Sequence, residues 1–292
     1  RIEAADLHVP ITAMGRADTS NRAAFEAMKR AGLVGIKFGV ETGDVDMMQR
    51  IGKHLDLDRV RQAVSWCKEL GLGVHLTFSF GGPGETFETA RKTIDLAVAL
   101  DPDTVQFSLM TPFPGTTMYE AAIREGTLLT RDWKQFDGAR YTVVKGEHLS
   151  REELEGLLAE AHWRWHLHVA ARQAAPSGAR TYAAAAELAA LPDGAADTLL
   201  VTTSLEQVAR PALLLAAAAA KLKAGGTLLV GRGAPARLGE QWCDRDVTLA
   251  AAAAGLTQTA ALSGYNGELV LAFSAPVEAQ KRSVLSSALA MT

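Results

Sequence analysis

The chain is poor in cysteine, in net charge and in long apolar stretches, and each shortage excludes something. Two cysteines, Cys67 and Cys243, cannot build a disulfide framework, and their separation matches no zinc spacing. Both read as small buried hydrophobes rather than reactive thiols. Lysine and arginine number 30 against 33 acidic residues, a formal net charge of −3, so no global basic field points to nucleic acid or an anionic membrane. No uninterrupted apolar run reaches the length of a membrane span, and the alanine runs 216–220 and 250–254 are short and flanked by charge. The opening residues RIEAADLHVP carry acids where a secretory signal needs a positive segment followed by a long apolar one. The cytoplasm is therefore the expected location, and Arg1 in place of methionine leads us to expect further sequence upstream. At 292 residues there is room for one large domain or two modest ones.

What is present is organised around Leu72 to Thr89. Val74, Leu76, Phe78 and Phe80 alternate with His75, Thr77 and Ser79, and the chain then breaks into Gly81, Gly82, Pro83 and Gly84. This pattern predicts a strand feeding a glycine-rich turn. Glu85 opens a helix that runs to Leu100 on the apolar spacing of Ala90, Ile94, Ala97 and Val98. Its carboxylate, beside exposed backbone N–H groups, either caps that helix or fixes a polar ligand.

The flanking segments follow the same alternation. Leu7, Val9 and Ile11 predict a short strand, Asn21 to Arg30 a helix, Ile36 to Val40 a second strand, Leu57 to Leu70 a helix, and Val105 to Leu109 the strand after the organising one. Strands separated by helices of roughly ten to fifteen residues imply parallel βα units with right-handed crossovers. Ligands of such sheets collect at the carboxyl ends of the strands. Arg16, Glu41, the turn Gly81 to Glu85 and Thr111 all fall at those ends, each from a different strand.

Taken one at a time these residues have two readings. Glu41 either accepts hydrogen bonds from ligand hydroxyls or caps the next turn. Arg16 either holds a carboxylate in its planar fork or pairs with Asp18 or Glu41. Gly81, Gly82 and Gly84 either admit a ligand to the backbone or only permit positive φ in a tight turn. The turn matches neither spaced phosphate-binding glycine pattern, which leaves nucleotide phosphate binding without support. Beyond it, Thr111-Pro112-Phe113-Pro114-Gly115-Thr116 is a stiff loop with Thr116 as N-cap of the following helix. Trp133, Phe136 and Tyr141 are read first as a hydrophobic latch. Ser150 and Glu153 spell a capping box for a helix that carries His162 and His166. Those two histidines share a face, but HWRWH lacks the glutamate of a zinc-protease helix, so packing is the favoured reading and no metal ligand is expected.

Several of these stretches, in this order, resemble a known family. RAD at Arg16 to Asp18, MKRAGLVGIKFGVETG at Met28 to Gly43, GGPGET at Gly81 to Thr86 and TPFPGTTMYEAAIREGTL at Thr111 to Leu128 are similar to the carboxyl-terminal part of radical S-adenosylmethionine enzymes, closest to the branch with an upstream cobalamin-binding domain. The likeness covers about Leu7 to Arg172 and implies an α/β fold: part of a six-stranded (βα) barrel. It implies S-adenosylmethionine as cofactor, a [4Fe–4S] cluster, an external electron donor, and cobalamin in the full-length protein. The reaction implied is generation of a 5′-deoxyadenosyl radical for methyl transfer or rearrangement on a small organic substrate. Arg16, Glu41, Gly81, Gly82, Gly84, Glu85 and Thr111 would line the cofactor. The family's CxxxCxxC loop is absent here, so this chain should not build the cluster itself and reads as a portion of such an enzyme.

Residues 172–180 loosen into a linker, which divides a barrel portion, 1–175, from a second domain, 180–292. The second half is rich in alanine and nearly free of lysine. Strands are expected at Leu199 to Thr202, Thr227 to Val230, Thr257 to Leu262 and Glu268 to Phe273, with helices at Pro211 to Leu222 and Val247 to Ala254. Asn266-Gly267 predicts that the last two strands are antiparallel. Leu222 to Val230 and the closing strands resemble the back half of a class I methyltransferase, so a Rossmann-like accessory domain is expected. Two other functions stay open: a noncatalytic binding or scaffold protein, and a conventional methyltransferase seated after Arg180.

Overall fold

A computed structural model describes Ile2 and residues 9–174, 180–202, 211–232, 244–263 and 269–276. Leu7, Cys243, the linker glycine Gly178 and the Asn266-Gly267 turn lie outside the described residues. The chain divides into two compact units, Arg1–His162 and Trp163–Thr292.

The first unit is built of βα repeats. Its strands are β1 (Ile11–Gly15), β2 (Leu33–Glu41), β3 (Gly73–Phe80) and β4 (Thr104–Leu109), joined by α1 (Arg22–Arg30), α2 (Val45–Arg50), α3 (Leu57–Glu69) and α4 (Phe87–Leu100). α5 (Thr117–Glu125) follows, and α6 (Arg151–Ala174) closes the unit and continues into the next. The strands lie in sequence order and every neighbouring pair is parallel, as the alternation with helices requires. The α/β class and the parallel βα repeats expected from the sequence are present, with four strands forming an open sheet among the described residues.

Helix ends follow local side-chain chemistry. Asn21, Asp44, Asp56, Thr86 and Thr116 each accept an N–H from the first turn of the helix they precede. Ser150 and Glu153 close the predicted capping box on α6, with Glu153 accepting the Ser150 N–H at 2.7 Å and Ser150 Oγ accepting the Glu153 N–H at 3.2 Å. The short helix α2 was not foreseen; six residues are too few to show a helical apolar period.

One face of this sheet is covered and the other is open. Phe38, Val40, Val74, Leu76, Phe78, Phe80, Phe107 and Leu109 are buried on the helix side. Phe25 of α1 meets Phe38 and Trp66 edge-on, and His162 of α6 stands edge-on to Phe107 at 5.5 Å. The alternate residues Thr12, Met14, Lys37, Gly39, Glu41, His75, Thr77, Ser79, Gln106 and Ser108 occupy the opposite face and are partly or fully exposed.

The second unit is a separate α/β layer structure. β5 (Arg180–Ala183), β6 (Ala196–Val201), β7 (Leu222–Arg232), β8 (Thr257–Ser263) and β9 (Leu269–Ser274) form a sheet of order β5-β6-β7-β9-β8. β5, β6 and β7 are parallel, while β9 runs antiparallel to both β7 and β8. Leu199, Val201, Leu228, Val230, Leu271 and Phe273 pack on one face against α7 (Pro211–Lys221) and α8 (Asp244–Ala253). Leu200, Leu229, Val270 and Ala272 form the other face and are covered by Trp163 and Leu167 of α6. The Trp163 ring lies directly on Gly231, where a side chain would collide with it, and its Nε1–H donates to the Thr202 carbonyl at 2.9 Å. The latter part of α6 therefore belongs to the core of this unit, ahead of the loosened composition that marks the linker in the sequence.

A chain truncated to residues 160–292 is expected to unfold cooperatively on heating. One truncated to 178–292, deprived of Trp163 and Leu167, is expected to bind a hydrophobic dye and aggregate; equal cooperativity in the two would show that α6 is dispensable.

Candidate functional site

Four parallel strands end at one edge, and β2 ends there with an irregularity. The register of β2 against β3 shifts between Gly39 and Glu41, so Glu41 is paired with Phe78 instead of Ser79. Glu41 itself has φ of 72°, a left-handed backbone that is costly for a side chain larger than glycine. Its carboxylate lies on the open face. Oε1 accepts from Lys53 Nζ at 2.6 Å and Oε2 accepts from Ser79 Oγ at 3.1 Å. Ser79 Oγ is 3.3 Å from Ser108 Oγ, which also donates to the Phe78 carbonyl at 3.2 Å. A polar chain thus crosses β2, β3 and β4 at their carboxyl ends.

Lys53 reaches this chain from the end of α2. Gly52 (φ 69°) and His54 (φ 48°) both turn through the left-handed region, and the Lys53 N–H donates to the Met48 carbonyl at 3.2 Å. The pair lies over Gly39: a Cβ there would stand 2.6 Å from Glu41 Oε1 and 2.8 Å from Lys53 Nζ, so a side chain would have to displace the ends of both. Arg16, at the tip of β1, forms a two-point pair with Asp18 at 3.1 and 2.7 Å and reaches the Lys53 carbonyl at 3.4 Å. The Arg16 guanidinium holds the Asp18 carboxyl below its ordinary value.

The glycine turn is closed by its own glutamate. Glu85 is 4% exposed; its Oε2 accepts from the Gly81 N–H at 2.7 Å and from the Gly82 N–H at 3.4 Å, and Oε1 accepts from Thr89 Oγ1 at 3.3 Å. Thr86, not Glu85, is the N-cap of α4. Gly81 (φ 87°) and Gly84 (φ 76°) supply the positive φ of the turn. A side chain at Gly82 would press on Met47, Ile51 and Met110, and one at Gly84 would collide with the Arg50 guanidinium. The glycines thus let α2 seat against the turn. Burial raises the Glu85 carboxyl above the ordinary glutamate value, against the lowering pull of the Gly81 and Gly82 amides and the Thr89 hydroxyl.

Thr111 Oγ1 donates to the Leu109 carbonyl at 3.1 Å, just past the tip of β4. The aromatic stretch beyond it is only partly a latch. Phe136 is buried and touches Trp133 at 4.8 Å between ring centres, whereas Trp133 is 56% and Phe113 52% exposed. Tyr141 is also exposed. His162 packs on Phe107 as expected, and no group of three His, Cys, Asp or Glu among the described residues could hold a metal ion. Cys67 is fully buried in α3, and burial pushes its thiol up to about 11.

Of the residues singled out in the sequence, Arg16, Glu41 and Thr111 lie at strand ends, and Glu41 with Arg16 shares the partner Lys53. Gly81, Gly82, Gly84 and Glu85 form one closed turn. Lys53 and Ser108 had gone unnoticed. The alternation of β4 was enough to place Ser108 on the face of Ser79, but no local signal ties Lys53 to Glu41.

Residues 1–97 match the family model described as the Radical SAM superfamily. An uncharacterized methyltransferase of Pyrococcus horikoshii is 34% identical over 167 residues, which is 57% of this chain and 36% of that protein. The hopanoid C-3 methylase of Methylococcus capsulatus is 28% identical over 120 residues, 40% of this chain and 22% of that protein. Among solved structures, the radical S-adenosylmethionine methyltransferase TsrM from Kitasatospora setae aligns with 24% identity and a TM-score of 0.38, covering 42% of this chain and 24% of its own. The chain therefore spans 36% or less of the length of these proteins.

Because the folded state holds the Glu85 proton to higher pH than the unfolded chain, stability should fall as pH rises above the ordinary value of 4.5 and through the raised one. Glu85→Gln is expected to abolish that slope in urea unfolding while keeping the turn. Glu85→Ala strands two amides and is expected to cost about 1–3 kcal/mol; native stability in Glu85→Ala would show that the carboxylate does not hold the turn.

Proposed function

We propose, from the match of residues 1–97 to the Radical SAM family model, that the first unit forms one wall of the active site of a radical S-adenosylmethionine enzyme that transfers a methyl group to a small organic substrate. The observation that carries this reading is the Glu41 carboxylate, held on strained backbone at a strand tip and facing the open side of a parallel sheet. Location in the cytoplasm and supply of electrons by an external donor are parts of the same proposal. No helix among the described residues is long and apolar enough to cross a membrane.

The donor set suits S-adenosylmethionine. A carboxylate and two hydroxyls lie along three adjacent strands, and the Lys53 ammonium comes to the carboxylate from the loop after α2. Glu41 and Ser79 would accept from ribose hydroxyls or the cofactor's ammonium, and Ser108 would extend that row. When bound, the cofactor supplies the radical and methyl chemistry; these side chains orient it and keep its polar groups satisfied in place of water. Arg16 stands at the rim, engaged with Asp18. The turn Gly81–Glu85 acts from behind, by fixing α2, and Thr111 borders the opening at β4.

A [4Fe–4S] cluster does not fit the residues of this chain. Cys67 is enclosed in α3, its thiol held far from the thiolate that a ligand must be, and a three-ligand group is absent among the described residues. Cluster ligands, and any cobalamin site, would come from sequence beyond these 292 residues.

A second reading rests on the second unit. The antiparallel strand β9 inserted between β7 and β8 is the closing arrangement expected of a methyltransferase-like domain. In that reading the cofactor is bound after residue 180, and the first unit is a scaffold.

Titration of the whole chain with S-adenosylhomocysteine separates the two. Glu41→Gln is expected to weaken binding about tenfold, the worth of a hydrogen bond to a charged group. Unchanged affinity in a folded Glu41→Gln protein, together with binding by the 160–292 chain, would transfer the site to the second unit.

A further inference from the structure

Among the described residues three without glycine's freedom take positive φ, and two of them, Glu41 and His54, bracket the segment that ends in Lys53. The strain is local and has a common product: the Glu41–Lys53 pair. Both members are about three-quarters shielded, with 26% and 22% of the side chains exposed. Lys53 is held by its own backbone at two points, its N–H to Met48 and its carbonyl from Arg16. Its ammonium takes one oxygen of Glu41 while Ser79 takes the other, so the carboxylate plane is determined from two sides. Both ends of the pair lie over Gly39, where a methyl group would have to displace them.

We propose that Lys53 is a positioning residue that acts through Glu41. It locks the carboxylate over the carboxyl end of β2 and leaves the outward lone pairs of both oxygens aimed at the open face, where a ligand's donor groups would arrive. Without the ammonium, a carboxylate on a left-handed backbone has several rotamers open to it, and ligand binding would have to select one of them. An ordinary rim ion pair would not require the two positive-φ residues that flank this segment. The inference rests on the reading of this face as the S-adenosylmethionine site, but its geometric half stands without ligand.

Two measurements on the full chain test it. In the ligand-free protein, Lys53→Met is expected to broaden or split the single Glu41 side-chain carboxyl resonance in carbon-detected NMR, with the strand amides unmoved; an unchanged resonance would overturn the proposal. In titrations with S-adenosylhomocysteine, Lys53→Met is expected to weaken binding about tenfold, and to add less than about twofold in a Glu41→Gln background, the non-additivity of residues that act as one unit. Equal losses in both backgrounds would mean that Lys53 acts independently of Glu41 and would overturn it as well. If the native chain binds no probe while the resonance still responds, the positioning stands and the assignment of the face to S-adenosylmethionine fails.

Discussion

A parallel sheet clad by helices on one face alone leaves the other face to be defined by whatever the alternate residues are. In the first unit most of those residues are polar: Lys37 opposite His75 and Thr104, Thr77 opposite Gln106, and Ser79 opposite Ser108. Successive side chains of a strand point to opposite sides, so every apolar residue committed to the helices commits its neighbours to the open side. The buried phenylalanines Phe38, Phe78, Phe80 and Phe107 thereby determine where the serines and Glu41 stand. A register shift also occurs at the start of β1, between Ile11 and Thr12, but the one at the end of β2 lies where Glu41 takes its left-handed backbone and reaches Ser79 on β3. Bulges that redirect a side chain at the edge of a site are a recurrent use of that irregularity.

The bulge is braced from behind. Thr42 Oγ1 lies 3.2 Å from Thr93 Oγ1 in a buried contact, and the Gly43 N–H donates to the same Thr93 hydroxyl at 2.9 Å. Gly43 comes so close to the backbone of Lys92 that no side chain fits. Asp44 caps α2 and accepts from Lys92 Nζ at 3.0 Å; burial pushes its carboxyl up, but the Met47 amide and Lys92 outweigh it and hold it below the ordinary value. The exit of β2 is thus fastened to α4, and α2 is seated on the glycine turn closed by Glu85. The glycine turn thus has contacts of its own with Glu85 and α2, behind the place where Glu41 and Lys53 meet.

The second unit obeys a different rule. Its sheet is apolar on both faces, with Leu199, Val201, Leu228 and Val230 toward α7 and α8, and Leu200 and Leu229 toward α6. A sheet buried on both sides cannot alternate polar with apolar, which is why TLLV at Thr198 to Val201 and TLLV at Thr227 to Val230 read as continuous hydrophobic runs. Among the described residues these strands offer no open polar face of the kind found in the first unit, and Trp163 occupies the space over Gly231.

Most of the architecture was legible because it is periodic. The alternation from Val74 to Phe80, the glycine punctuation at Gly71 and Gly81, and the caps at Thr116 and Ser150 are local signals, and the elements they predict are present. β5 was missed, since the four residues Arg180–Ala183 are too short to carry a period, and α2 for the same reason. By itself the sequence determined the parallel βα alternation, the apolar face of each strand and the placing of Arg16, Glu41, Gly81 and Thr111 at strand ends, since these follow from side-chain period and from helices between strands. Only the tertiary structure decided which groups those residues engage: that Glu85 turns inward to its own glycines, that Arg16 is taken by Asp18, and that Lys53 lies on Glu41. Such pairings depend on a turn of helix and two left-handed residues adding up to the right distance in space, a sum over backbone angles that no spacing of residue types encodes.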